Sequence, residues 1–322
     1  PGYVRVLLDR NGDGRADSAV QFASPAEGAQ GMHFYGRDLL CTTAGGLVRY
    51  RDADGDDRAD GPPETFLRIK TGGEHDAHAI HRGPDGWWYL IVGNSGGVTS
   101  RYVSTATSPV REPRAGTILR LSPELSSGEV YAHGFRNAYD FTFDVLGELF
   151  TCDSDGEREV SLPWYLPNRV LHVLPGADAG WVTESWKRQD GYLDMPPVVA
   201  SVGRGSPTGV LCYRHVHFPA EYQASLFVLD WTYGRVWSLP PRQVGGRVIA
   251  EPVEFLSGTG AHGFAPTSAA VGADGSLYIS VGGRGTRGGV YRVRATGRPL
   301  INPLERTIPV SPTDRLTFCL RC

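Results

Sequence analysis

Gly83-Pro-Asp-Gly-Trp-Trp-Tyr-Leu-Ile-Val-Gly93 joins an Asp-Gly turn to a short run of aromatic and β-branched residues. An Asp can bond its own backbone a residue or two ahead, and Gly accepts the left-handed conformation, so the pair marks a tight turn. The run behind it has strand composition. The same unit returns as Asp144-Val-Leu-Gly-Glu-Leu-Phe-Thr-Cys152 and as Gly272-Ala-Asp-Gly-Ser-Leu-Tyr-Ile-Ser-Val-Gly-Gly283. Related runs without that turn begin at Gly36 and Gln223. All read as strands.

A second element follows these runs, starting at Gly46, Gly116, Arg169, Gly234 and Gly288, and is read as an outer strand with an alternating pattern. Copies separated by long intervals match radially repeated four-stranded sheets rather than a sandwich, whose turns come about every 8 to 12 residues. The expected fold is therefore all-β, a six-bladed β-propeller over residues 1–296. Val4 to Ala23 supply the outer half of one blade, incomplete or closed by a terminal strand. Residues 297–322 lack the blade pattern and read as a tail or the remnant of a following domain. No signal peptide precedes the pattern, so the chain reads as processed or truncated.

Composition agrees with turn-rich β-structure and narrows the function classes. Gly and Pro contribute 42 and 23 of 322 residues, about a fifth of the chain, against roughly 12% in ordinary proteins. The formal charge of -3 offers no basic face for nucleic acid or an anionic membrane. The longest apolar run, Trp87 to Val92, is far short of the roughly 20 residues of a spanning helix. The five cysteines are too few and too scattered for a disulfide framework. Cys319-Leu-Arg-Cys322 has redox-motif spacing but reads as tail.

Two acidic loops, Asp9-Arg-Asn-Gly-Asp-Gly-Arg-Ala-Asp17 and Asp52-Ala-Asp-Gly-Asp-Asp-Arg-Ala-Asp60, place oxygen donors at alternate positions. Asp9, Asn11, Asp13 and Asp17, and likewise Asp52, Asp54, Asp56 and Asp60, would act through side chains, and Arg15 and Arg58 through their carbonyls. One short loop wraps Ca²⁺ in this way. Val20 and Pro63 stand where a bidentate Glu would close each site, and Asp57 stands at the usual glycine. The other reading is a solvated Asp-rich turn.

His75, His78 and His81 precede and enter the strand before the Gly83 turn. An imidazole at the inner end of a propeller strand suits a general base. Strand alternation would put His75 and His81 on one face and His78 on the other. Arg136 and Asn137, in Gly134-Phe-Arg-Asn137, supply donors and an acceptor for an oxyanion or a quinone carbonyl. Cys152-Asp-Ser-Asp-Gly-Glu-Arg-Glu159 reads as a further oxygen-rich cation site. No phosphate-binding loop is present in the sequence.

Taken in order from Val4 to about Ala295, these stretches resemble the glucose/sorbosone dehydrogenase group, which includes the soluble quinoprotein sugar dehydrogenases. The likeness is closest to planctomycete-type proteins labelled membrane-bound dehydrogenases. It is carried by the two Asp loops, Phe135-Arg-Asn137, Ser206-Pro-Thr-Gly209, Asp230-Trp-Thr-Tyr-Gly-Arg235 and Gly282-Gly-Arg-Gly-Thr-Arg-Gly-Gly-Val-Tyr-Arg292.

The resemblance implies a six-bladed propeller and oxidation of a hydroxyl, with hydride passing to pyrroloquinoline quinone (PQQ). His75, eight residues before Gly83, takes the place of the family's base. Arg136 and Asn137 match the pair lying over quinone and substrate, though Phe135 replaces the usual His. The family's quinone-binding Lys falls near Thr232, and its paired Arg residues near Phe264 and Pro266. Arg204, Arg284 and Arg287 are the neighbouring cations that would substitute. The expectation is a calcium-containing, PQQ-dependent sugar or alcohol dehydrogenase, periplasmic or extracellular, passing electrons to a cytochrome. Two alternatives stand beside it: a non-catalytic, calcium-stabilised propeller binding carbohydrate or protein, and a metal-dependent hydrolase or lactonase using the histidines.

Overall fold

Asp85 Oδ1 accepts the Trp87 N–H at 3.1 Å, and Gly86 stands at φ +82°. The first and fifth residues of the turn close it, with Gly83 N–H donating to Trp87 O at 2.7 Å. Gly272 repeats this to Ser276 O at 2.8 Å, with Gly275 at φ +80°. In the third copy the carboxylate moves to the first turn position. Asp144 Oδ1 accepts the Leu146 and Glu148 N–H groups, each at 2.9 Å, and Gly147 takes φ +85°. The repeat seen in the sequence is thus one hydrogen-bonding scheme used three times.

The computed structural model describes residues 2–25, 27–183, 186–261, 263–283 and 288–297. The chain divides into two compact units between Asn137 and Ala138. In the first, β1 (Val4–Leu8) and β2 (Ser18–Ala23) pair only with each other. Next come β3 (Met32–Tyr35), β4 (Asp38–Thr43), β5 (Gly46–Tyr50) and β6 (Glu64–Arg68), an antiparallel meander in sequence order. A second meander contains β7 (Ala77–Arg82), β8 (Trp88–Val92), β9 (Gly116–Leu121) and β10 (Gly128–Phe135).

The second unit holds β11 (Phe141–Phe143), β12 (Leu149–Asp153) and β13 (Asn168–Val173), a hairpin of β14 (Trp181–Thr183) and β15 (Trp186–Lys187), and β16 (Val198–Gly203), which completes the β11 sheet. The next sheet contains β17 (Pro207–Cys212), β18 (Leu226–Asp230) and β19 (Arg235–Leu239). After a hairpin of β20 (Arg242–Val244) and β21 (Arg247–Ile249), β22 (Val253–Ser257) completes it. A three-stranded sheet of β23 (Pro266–Val271), β24 (Leu277–Val281) and β25 (Gly289–Val293) follows. Among the described residues no helix is long and apolar enough to cross a membrane.

Two expectations are corrected. The described residues form five blade sheets, not six. Val4 to Ala23 remain a two-stranded ladder because the chain beyond is taken into the β4 ladder, where Gln30 N–H donates to Thr42 O and Thr42 N–H to Gly31 O. In the four four-stranded sheets the recurring second element is the third strand rather than the outermost, and β6, β10, β16 and β22 lie outside it. Those outer strands are interrupted or irregular in pattern; β6 reads Glu-Thr-Phe-Leu-Arg. Residues 297–322 lie almost wholly outside the described residues.

β8 is buried at every position, and β9 at all but one. β8, Trp-Tyr-Leu-Ile-Val, reads as a continuous apolar run because both faces are covered. Leu47, Ile80, Leu90, Val92, Leu119 and Val130 form one core in the first unit. Thr42 links its two meanders, since Thr42 Oγ1 accepts the Gly31 N–H at 2.8 Å and donates to His78 O at 3.0 Å. A Cβ at Gly31 would lie 2.1 Å from that carbonyl oxygen. Glycine there lets the backbones approach and fixes β7, the strand that carries the histidines.

Candidate active site

His75 lies in the turn before β7, and His78 and His81 lie on the strand. Between Ala77 and Ile80 the register to β8 shifts, so a bulge breaks the expected alternation. His78 is fully buried and His75 is half-buried.

Five residues from three short segments meet here. His75 Nδ1 is 2.6 Å from Asn94 Oδ1, and the backbone N–H of Asn94 donates to Arg136 O at 2.9 Å. Ser95 N–H donates to His75 O at 3.0 Å. Asn137 Nδ2 donates to Glu74 O at 3.0 Å, which turns Asn137 Oδ1 toward His78 Nε2 at 2.9 Å. Gly93 lets these groups close up, because a Cβ on it would stand 2.4 Å from Asn137 Oδ1 and 2.6 Å from His75 O. The structure therefore brings together His75, Asn137 and the backbone carbonyl of Arg136.

The hydrogen bonds fix tautomers. A carboxamide oxygen only accepts, so His75 carries its proton on Nδ1 and its lone pair on Nε2, the form of a general base. His78 by the same logic donates from Nε2. Asn137 thus braces a buried histidine and a carbonyl, rather than directing its amide at a substrate.

Sequence reading passed over two participants. Asn94 follows the strand at its Gly93 end and sets the His75 tautomer. Lys70 places Nζ 3.0 Å from Asp76 Oδ1 and 3.4 Å from Ser95 O, while Asp76 Oδ2 accepts the Gly73 N–H at 2.8 Å. Asp76 is buried and Lys70 exposed, so the loop holding His75 is pinned by a half-exposed ion pair. The spacing Lys70 to Asp76 was the available signal.

The acidic loops differ from each other. In the first, Asp9 accepts the Gly12 and Gly14 N–H groups at 2.8 and 2.9 Å, and Asp17 Oδ2 accepts that of Arg10 at 2.7 Å. Asn11 Nδ2 donates to Asp13 and Asp17. In the second, Asp52 accepts the Gly55 N–H at 2.7 Å and Asp60 that of Ala53 at 2.6 Å. Here carboxylate oxygens of Asp52, Asp54 and Asp56 all lie within 4.8 Å of one another. Among the described residues this is the one group of three that gathers so. Asp57 takes φ +65° at the position where the loop pattern calls for glycine. An all-oxygen set of this kind fits a hard cation such as Ca²⁺.

The Cys152 to Glu159 segment already contains a cation of the chain's own. Fully buried Lys187 places Nζ 2.6 Å from Asp153 Oδ2 and 3.1 Å from Ser154 O. Tyr165 donates to Asp155 Oδ2 at 2.7 Å, and Asp155 N–H donates to Asn168 Oδ1 at 2.6 Å. Burial pushes the Cys41 and Cys212 thiols up to about 12, and Cys152 well above the ordinary range. None of these thiols is a thiolate at neutral pH.

The positions implied for quinone anchoring do not fit a tricarboxylate. Thr232 bonds Ser206 Oγ through its hydroxyl at 2.8 Å. Phe264 stacks edge-on with Tyr291 at 5.9 Å between ring centres, and Pro266 opens β23. None carries positive charge. Arg204 is exposed on the same turn as Ser206, with its carbonyl 3.3 Å from the Arg235 guanidinium. Arg284 and Arg287 lie outside the described residues.

The chain is similar in fold to solved sugar dehydrogenases. A proposed oxidoreductase (glucose dehydrogenase) of Thermus thermophilus aligns with TM-score 0.65 and 22% identity, over 93% of this chain and 89% of that one. The PQQ-bound aldose sugar dehydrogenase of Streptomyces coelicolor aligns with TM-score 0.62 and 20% identity, over 88% and 86%. The PQQ domain of pyranose dehydrogenase from Coprinopsis cinerea, in its holo form, gives 0.58 and 15%, over 89% and 86%. No curated protein matches the sequence. The shared fold is the β-propeller. Residues 1–280 match the family described as Domain of unknown function (DUF7133), and the chain belongs to that family.

Proposed function

We propose that this propeller is an oxidoreductase acting on the hydroxyl of a sugar or alcohol, with His75 as the base. The observation that carries it is the 2.6 Å contact between His75 Nδ1 and Asn94 Oδ1, which sets the lone pair on Nε2. A hydroxyl presented to Nε2 loses its proton there, and Arg136, whose carbonyl accepts the Asn94 N–H, is the cation assigned to oppose developing negative charge. The sugar dehydrogenases of like fold support the substrate class. PQQ, when bound to such enzymes, accepts hydride. In this chain Thr232, Phe264 and Pro266 supply no anchor for it, so the hydride leaving the substrate carbon passes to a quinone or dye acceptor that binds without them, and His75 takes the hydroxyl proton. The Asp52 loop takes calcium as a structural ion in this reading. Onward transfer to a cytochrome, in a periplasmic or extracellular setting, belongs to the same proposal.

The uncharged anchor positions favour a second reading, a non-catalytic propeller that binds carbohydrate. The histidines lend less to a metal-dependent hydrolase, since His75 Nδ1 and His78 Nε2 face amide oxygens. Titration with PQQ and calcium, followed by absorbance and by dye reduction over a panel of sugars, tests the first reading. Quinone binding with turnover supports it. Sugar binding by calorimetry without either supports the second.

A further inference from the structure

A cavity of about 410 Å³ opens in the first unit between β6, the segment Arg101–Ser104 and the turn joining β9 to β10. That size falls within the range of small-molecule sites, roughly 300 to 1,000 Å³. Phe66, Leu121 and Leu125 form apolar wall, and Arg68 and Arg101 are the two cationic residues that line the same space. No carboxylate lines it. Neither arginine has an ion-pair partner among the described residues, although the chain carries more Asp and Glu than Lys and Arg.

The cationic edge is built rather than loose. Tyr102, nine-tenths buried, accepts from Arg101 at 3.0 Å through its hydroxyl and donates to Arg68 O at 3.0 Å. The Arg101 guanidinium also lies 5.0 Å from the centre of the Tyr102 ring. Across the cavity, Leu125 stands at φ +59°, a costly conformation for a branched side chain. Ser122 holds it there, accepting the Leu125 N–H through its carbonyl and the Ser126 and Ser127 N–H groups through Oγ. Strain of this kind is retained where the surroundings demand one geometry, and here it holds Leu125 in the lining of a cavity that also has two arginines.

We infer that this cavity is a binding site for a small amphipathic carboxylate, its apolar body against Phe66, Leu121 and Leu125 and its anion between Arg68 and Arg101. Two cationic residues lining one cavity with no carboxylate in its lining favour an anion, and the walls favour an apolar remainder. The site is independent of His75 and of any oxidation.

Calorimetric titration of the full chain with hexanoate and with 3-phenylpropionate, each against its alcohol counterpart, tests this. Saturable binding of at least one carboxylate at one per chain is expected, and the two acids separate an aliphatic from an aromatic body. Its alcohol should bind about 10- to 100-fold more weakly, the range of lost charge-assisted hydrogen bonds. Arg68→Met with Arg101→Met should abolish the difference while leaving the melting temperature near wild type. Tyr102→Phe keeps the ring and frees the guanidinium, so it should weaken the carboxylate alone. Absence of saturable binding, equal affinity for acid and alcohol, or binding that survives the double substitution would overturn the inference.

Discussion

Asn137 Oδ1 and His78 Nε2 lie 2.9 Å apart, joining the end of one strand to the middle of another in the first unit. His78 is fully buried, so its donor has no route to water. Asn137→Ala removes the acceptor and leaves a buried N–H unmatched, costing about 1–3 kcal/mol. The expected drop in melting temperature is a few degrees, measured by calorimetry. Asn137→Asp, which retains an acceptor, should lose less.

Gly93→Ala tests how closely the site is packed. The added Cβ would stand 2.4 Å from Asn137 Oδ1 and 2.6 Å from His75 O, one side chain and one backbone atom. Overpacking of this sort costs about 1–3 kcal/mol. Sugar binding should weaken with it, while Gly260→Ala, where an added Cβ meets nothing within 4 Å and φ is not left-handed, should leave sugar binding unchanged.

The second acidic loop should respond to calcium and the first should not. Asp52→Ala with Asp54→Ala is expected to lower the melting temperature in calcium and to leave it unchanged in chelator. The corresponding Asp9→Ala with Asp13→Ala should lower it equally in both, since those carboxylates hold backbone N–H groups. Equal melting of the Asp52 and Asp54 variant in calcium and chelator would reject the loop as a cation site.

His33 provides a pH signature. Burial, then the nearby His81 and Arg82, lower its pKa to about 4 from the ordinary 6.5. Between those values the unfolded chain binds the proton and the folded chain does not. This contribution to stability is therefore complete above pH 6.5 and is lost as pH falls toward 4. His33→Gln should flatten the fall in melting temperature across that window; an unchanged slope would assign it to other groups.

Lys187 and Asp153 form a fully buried ion pair at 2.6 Å. Lys187→Met leaves the carboxylate without its partner, and removing one member of such a pair costs about 3–5 kcal/mol. Lys187→Met with Asp153→Leu should recover most of that stability, as read from urea midpoints.

The turn-and-strand repeat was legible because Asp85, Gly86, Gly275 and Gly147 carry turn chemistry in their identities, and β8 carries its burial in an unbroken apolar run. The outer strands were not, since Glu64 to Arg68 have no periodicity that separates them from a loop. His75, Arg136 and Asn137 could be singled out by spacing, yet their grouping depends on Gly93 and Asn94. A bulge within β7 defeated the alternation rule for His78. The Asp153 segment reads as a cation site because sequence cannot show that Lys187, more than thirty residues later, already occupies it.

The most direct test of the account compares wild type with His75→Asn in a calcium-supplemented dye-reduction assay, run both with PQQ and with an artificial quinone acceptor, alongside calorimetric sugar binding. Asn holds a polar side chain but cannot take up the proton. The account predicts retained sugar binding with turnover lowered about 100-fold or more, the scale of general-base catalysis. Turnover equal to wild type in His75→Asn, or none in either protein, would contradict it.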